Sequence, residues 1–329
     1  MKKYIVAGIL FAATMLVSCG GLQSFTFDQL YPAEVTFPEQ VRTVAVVNHT
    51  PAIPFPKKDL LTLGRLEGDG KVLSESLAGG LADSRYFHQV IISDSVITQE
   101  LTGGEILPQS VVDSLIRVLG VDMILSVDRI QLLTGKKEVY YPGLMAPFAA
   151  FDLKMRPVLR AYIPSRVMPV VTISKVDSLL WDLNPTLSDY DVVNEASQHT
   201  GFTLVNQLVP HWKSVERIYF DGGNPDMRDA AVSLREGDWQ EAGRLWKNLY
   251  DSLKKGKLKS RAAFNMALAC EVQGMMSEAV DWIEKAKSCA TKGSEEDRAA
   301  AFYATVLQER AKDFQLLNLQ MARFGNKFN

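Results

Sequence analysis

The chain has 329 residues, 36 of them basic and 38 acidic, for a formal net charge of −2. That balance gives no electrostatic basis for binding nucleic acid or an anionic membrane. Hydrophobic residues at 47% and charged residues at 22% are ordinary for a folded soluble protein, and the length suits about two domains of ~150 residues.

Met1-Lys2-Lys3 is a small positive segment, and Ile5 to Val17 is apolar apart from Gly8 and Thr14. The run is short for a membrane span and is followed by small residues, so 1–18 reads as a signal peptide. Its last residues, Leu16-Val17-Ser18-Cys19, resemble the lipobox of bacterial lipoproteins. The resemblance implies cleavage between Ser18 and Cys19, diacylation of the Cys19 thiol and acylation of the new amino group. Two or more chains, at ~0.8 kcal/mol per buried methylene, hold a protein on a membrane. The alternative is a chance Cys in an ordinary signal peptide. No later run is apolar enough for a span.

Residues 19–40 read as a lipidated tether passing into extended chain. Phe25, Phe27, Val35 and Phe37 alternate with polar residues, and Pro32 and Pro38 punctuate them. Gly20 to Ser24 lack the acidic residues that mark Bacteroidota lipoproteins for surface display. The expected location is therefore the outer membrane of the cell envelope, facing the periplasm.

Residues 41–222 read as a mixed α/β sheet domain. Val41 to Val47 is a buried strand ended by Asn48, and a Pro-rich loop follows from Pro51 to Pro56. Val72, Leu73, Leu77 and Leu81 predict a helix, Gln89 to Ile92 a strand. Pro108 opens a second helix with an apolar face of Val111, Val112, Leu115, Ile116 and Leu119, capped by Gly120. A third strand runs from Val121 toward Leu133. Strands over 137–141, 151–163 and 167–181, a helix over 192–212 and a closing strand over 214–220 complete the domain.

Thr43-Val44-Ala45-Val46-Val47 and Leu119-Gly120-Val121-Asp122 resemble a group of envelope lipoproteins over residues 41–135. The group includes the curli-secretion lipoprotein, the activators of penicillin-binding proteins and the N-terminal domain of the Tol translocation protein. The resemblance implies binding to other proteins and carries over no catalytic residue. Tyr31 through Val47, with the C-terminal architecture, is more similar still to a family of Bacteroidota lipoproteins that offers no activity to import.

Residues 223–329 have helical periodicity and Ala-rich faces, making the whole an α+β chain. Asn224-Pro225-Asp226 reads as a helix start. Gly274, Ala279, Ile283 and Ala286, after Ala267 and Leu268, resemble a tetratricopeptide repeat, in which Gly makes room between antiparallel helices and Ala lets them approach. An upstream copy has Gly237, Asp238, Trp239, Ala242, Trp246 and Leu249. A third has Lys312-Asp313-Phe314 after Phe302 and Leu307. The alternative is an unrelated helical hairpin bundle. In this register Cys270 and Cys289 stand more than ~10 Å apart along the helix axes, beyond the ~7 Å Cα separation of a disulfide. Two separate buried thiols are expected.

No catalytic or metal-binding constellation emerges, and no cofactor is expected. His49, His88, His199 and His211 are scattered without ligand spacing. Asp152, Asp177, Asp182 and Asp191 offer paired carboxylates or, more simply, turn residues. Lys136, Lys137, Lys154, Arg156, Arg160 and Arg166 form a locally basic strand region, either a partner face or a solvated one. The five tryptophans read as core rather than a sugar platform. Asp-Ser-apolar triplets at 94, 113, 177 and 251 resemble Bacteroidota O-glycosylation acceptors. The functional expectation is a non-enzymatic lipoprotein that binds envelope proteins, with a membrane contact through lipid and none with nucleic acid. The alternative is an enzyme or a small-ligand or glycan binder with a site between sheet and helices.

Overall fold

The computed structural model describes residues 21–51, 63–93, 105–140, 148–166, 169–182 and 188–325. The lipobox residues Ser18 and Cys19, most of the Pro-rich loop and the Asp94 triplet lie outside these residues. The architecture is a mixed α/β sheet region followed by helices, the α+β class expected. Chain contacts divide it into two compact units, Ala33–Val209 and a second made of Met1–Pro32 with Pro210–Asn329.

In the sheet unit the elements are β2 (Thr43–Asn48), β3 (Gly64–Glu67), α1 (Gly70–Ser84), β4 (Gln89–Ser93), α2 (Gln109–Leu119), β5 (Met123–Val139), β6 (Phe148–Tyr162), β7 (Val171–Ile173), β8 (Asp177–Asp182) and α3 (Asp189–Leu208). The other unit contributes β1 (Leu22–Tyr31) and β9 (His211–Phe220). The seven-stranded sheet has the order β4-β2-β5-β6-β7, with β3 also on β5 and β8 also on β6. Strand β2 lies parallel to both β4 and β5, and Val44 to Val47 are wholly buried. Ala45 and Val47 pack with Val112, Ile124 and Tyr162 beneath α2. By strand alternation Val44 and Val46 face the opposite side. Helices α1 and α3 meet at Gly201, where a Cβ would stand 2.6 Å from Ser76 Cβ and 2.8 Å from Leu73 O. Only glycine lets the two backbones approach so closely.

The expected Gly120 cap is present. Gly120 ends α2 at φ 66°, its N–H bonded to Ile116 O. Asp122 accepts from Arg42 N and Thr43 N at 2.8 Å and from Thr43 Oγ1 at 2.9 Å. Burial pushes its carboxyl up, but these three bonds to the charged form outweigh it and leave the pKa below the usual value. This stabilisation is therefore present above the unfolded pKa and is lost as pH falls through the folded one. Differences lie in extent. The expected strands at 121–133 and 137–141 are one long β5, held against β6 from Ile124 to Val139. Strand β3 was not foreseen, because four residues carry too little periodicity. Of the predicted α2 face only Val112 is fully buried. Helix α3 starts earlier, at a capping box of Ser188 and Asp191, and ends before Pro210.

The largest correction concerns the strand expected to close the sheet. Strand β9 pairs instead with β1, antiparallel from Leu22↔Phe220 to Tyr31↔His211. The expected tether is therefore ordered from Leu22. The expected lines at 40/41 and 222/223 compare with unit limits at 32/33 and 209/210. Both strands have a period-two apolar face, and Phe25, Phe27, Ile218 and Phe220 pack against helices of their own unit. Those helices are α4 (Pro225–Arg235), α5 (Trp239–Ser252), α6 (Lys257–Val272), α7 (Met276–Cys289) and α8 (Glu295–Met321).

Two hairpins match the predicted repeats, α4–α5 and α6–α7. Ala242, Trp246, Ala267, Ala279 and Ala286 are wholly buried in one core, and Asn224 caps α4 with Pro225 in its first turn. Gly237 and Gly274 stand at the turn points of the repeats, as expected, but they do not make the room between helices that the repeat resemblance implies. Each sits in the turn at positive φ, 82° and 77°, and a Cβ on Gly237 would meet nothing within 4 Å. They supply a left-handed turn, not space between helices. The third turn, at Lys312-Asp313-Phe314, is absent: α8 runs unbroken through it, and the segment has no glycine to take the left-handed conformation that Gly237 and Gly274 adopt. Cys270 and Cys289 are free thiols, Cys270 buried and Cys289 only half-buried. Burial pushes the Cys270 thiol up to about 11. Ala279→Trp should overpack the α6–α7 contact and cost about 1–3 kcal/mol. Unchanged thermal unfolding of that variant would contradict this packing.

Candidate functional site

Two buried polar clusters stand out, one in each unit. The first lies at the carboxyl end of β2. After β3, which lies on β5, the chain passes through α1 to β4 on one side of β2 and then through α2 to β5 on the other, so the direction of the parallel crossovers reverses between β2 and β5. In open α/β sheets ligands bind outside the carboxyl ends of strands at such a switch point. There His49 N donates to Val127 O at 2.8 Å, and His49 Nδ1 lies 3.2 Å from Asp128 Oδ1. Ser126 Oγ donates to the same oxygen at 2.5 Å, and Arg160 pairs with Oδ2. Asp128 is at the register shift between Val127 and Arg129, the kind of irregularity that re-aims a side chain.

Asp128 is wholly buried and His49 is 2% exposed, yet His49 Nε2 has no partner among the described residues. Tyr162 OH nearby accepts from Leu107 N at 3.2 Å. Burial raises its pKa, and the Asp128 charge adds to this, against opposing bonds from Leu107 and Arg160. A His oriented through Nδ1 by a carboxylate presents Nε2 to a proton or a ligand. Sequence reading missed this cluster, counting Arg160 as surface charge and His49 as isolated. The available signal was Asp128 inside a buried apolar run, which needs charge or hydrogen-bond partners to be tolerated.

The second cluster ties the β1–β9 ribbon to the helices. Glu271 of α6 is buried and accepts from Gln29 Nε2 at 2.8 Å, from Arg217 Nε and Nη2 at 3.0 and 2.8 Å, and from Tyr303 OH at 2.6 Å. Asn265 bonds both N and O of Phe220, closing that strand end as a neighbouring strand would. An open groove of about 620 Å³ is lined by Met275, Met276, Val280 and Asp281 around the start of α7 and by Phe314 and Gln315 of α8, with Met276 itself buried in the core.

The other predicted candidates do not form a site. Asp191 serves the α3 cap, Asp177 lies 3.4 Å from His199, and Asp152 lies 4.0 Å from Lys154. Lys136, Lys137, Lys154, Arg156 and Arg166 are exposed. Trp246 is core, whereas Trp212 is 68% exposed. Among the described residues no group of three His, Cys, Asp or Glu side chains is placed to hold a metal ion.

A family model described as Domain of unknown function (DUF8603) matches residues 41–220, more than half of the chain. The chain belongs to that family. The DUF8603 match runs from just before β2 to the end of β9, so it takes in both the His49–Asp128 cluster and the strand that pairs with β1. A second description, Domain of unknown function (DUF6340), matches residues 228–309, from α4 into α8. Neither description names an activity. No curated protein matches the chain. Among solved structures, the hypothetical protein CT253 from Chlamydia trachomatis, determined at 1.65 Å resolution, is similar over 50% of this chain and 96% of its own, at 8% identity and a TM-score of 0.28.

Proposed function

We propose that this DUF8603 protein is a non-enzymatic lipoprotein of the bacterial envelope that binds a protein partner through its helical unit. The observation that carries the reading is the open groove beside α7 and α8, whose lining combines the apolar Met275, Val280 and Phe314 with the acidic Glu278 and Asp281, as suits a segment of another protein. The sequence resemblances add the setting. The lipobox ending in Cys19 suggests a bacterial lipoprotein, the likeness of Tyr31 through Val47 a Bacteroidota one, and the lack of acidic residues over 20–24 an outer-membrane protein facing the periplasm. The curli-secretion and penicillin-binding-protein-activator pattern suggests an accessory factor. Anchoring at Cys19 would raise the local concentration of weak partners.

The test is a photocrosslinking residue at Gln315 in the native membrane. A discrete, reproducible protein adduct is expected. Cys19→Ala should release folded protein into the soluble fraction and reduce that adduct. Absence of any adduct at Gln315 would sink the reading. A second reading, a small-ligand or catalytic role in the sheet unit, draws on the unpartnered Nε2 of His49. Its test is His49→Gln: altered turnover or binding of a cell-wall or glycan substrate, with unchanged partner adducts, would favour it.

A further inference from the structure

A depression of about 350 Å³ on the helical unit is lined by Tyr31, Arg217, Phe302, Thr305, Val306 and Arg310, with Glu309 and Asp313 alongside. Its two guanidinium groups are in different situations. Arg217 is bound by both oxygens of Glu271, so its charge is cancelled. Arg310 is only 6% exposed. Its Nη2 donates to Leu30 O at 2.7 Å, and its guanidinium carbon stands 4.9 Å from the centre of the Tyr31 ring. Its Nε and Nη1 are buried and have no partner among the described residues. Unmet donors on a buried cation are costly. Burial accordingly pulls the Arg310 pKa down, the nearby Arg217 charge acts the same way, and the Glu271 and Asp313 charges partly offset them.

We propose that this depression is a carboxylate-binding site that takes an acidic side chain of a protein partner. It deepens the protein-binding reading and rests on it. A carboxylate oxygen is the acceptor that Nε and Nη1 lack, and its charge suits a guanidinium that has no ion-pair partner among the described residues. A phosphate suits the site less. Asp313 lies three residues further along α8, and Glu309, although paired with Lys312 at 2.8 Å, adds acidic charge at the rim. A dianion would be repelled where a monoanion is held. Phe302, 71% exposed, and Val306 offer apolar contact beside the guanidinium. The matching segment therefore has an Asp or Glu next to an apolar residue, with a cation able to face Asp313.

The experiment has two arms on the full-length protein. In the first, ligand-observed NMR compares 3-phenylpropionate with 3-phenylpropionamide. The acid should bind saturably and the amide about tenfold more weakly, and Arg310→Gln should abolish the difference. Arg310→Lys, which keeps the charge, should restore part of it. Equal binding of acid and amide to the unaltered protein, or no binding of either at millimolar concentration, would overturn the site without recourse to a variant. In the second arm a photocrosslinker replaces Phe302 in the native membrane, with and without Arg310→Gln. A protein adduct lost on Arg310→Gln supports the proposal. Acid-selective binding without an adduct would show a small free acid, not a protein, as occupant. Retention of the Gln315 adduct when both arms fail would remove this site and leave the broader binding reading standing.

Discussion

Glu271→Ala should lower the unfolding free energy by about 3–5 kcal/mol, the cost of leaving a buried ion-pair partner unpaired. Glu271 is the common acceptor for Gln29, Arg217 and Tyr303. Its removal would leave Arg217, whose side chain is 14% exposed, as a charge without a counter-ion. It would also leave the Tyr303 hydroxyl and the Gln29 amide unpaired in the core. Burial works against the charged Arg217, yet pairing with Glu271 raises its pKa above the usual value, so the pair outweighs its own desolvation. The effect should be felt where β1 and β9 meet α6 and α8. Denaturant unfolding followed by Trp fluorescence would measure it, and amide exchange would show β1 and β9 losing protection first. Glu271→Gln, which keeps volume and one acceptor, should cost less than the alanine. A loss below about 1 kcal/mol in Glu271→Ala would mean that the network contributes only what exposed pairs do.

Asp128→Ala should be nearly as severe in the sheet unit, again about 3–5 kcal/mol. The wholly buried carboxylate is the partner of Arg160, Ser126 and His49 together. Without it the Arg160 guanidinium keeps its charge beside the sheet core, and Ser126 and His49 Nδ1 lose their shared acceptor. Asp128→Asn should retain part of the stability by offering one amide oxygen. Because His49 takes its orientation from Asp128, both variants should also change the exchange rate of the His49 ring protons seen by NMR. Wild-type stability in Asp128→Ala would show that the cluster is not integral to the fold.

Much of the element map was readable from the chain. The apolar periods of 3.6 and 2 located the helices and strands, and Gly120 and Asn224-Pro225 marked helix ends. The Ala-rich faces identified two helical hairpins, and Cys270 and Cys289 were separated correctly from register alone. All of these rest on forces acting within a few residues. The fate of the glycines shows the limit. Gly237 and Gly274 were conspicuous but only turn the chain, whereas Gly201 and Gly80, unremarked in the sequence, are where Cβ atoms would collide with a neighbouring helix.

The sequence by itself determined the classes of element, their order and the local caps, because dihedral preference and amphipathic period are properties of short windows. It also supplied the whole case for Ser18 and Cys19. Only the tertiary structure decided that β9 turns to β1 rather than to the sheet, since any half-apolar strand edge can pair with several others and the choice depends on which helices cover the remaining face. The same holds for the buried charges. Gln29 and Glu271 are 242 residues apart, and His49 and Asp128 are 79. No window contains both members of either pair, and a lone charged residue in an apolar run announces only that it needs a partner, not which one.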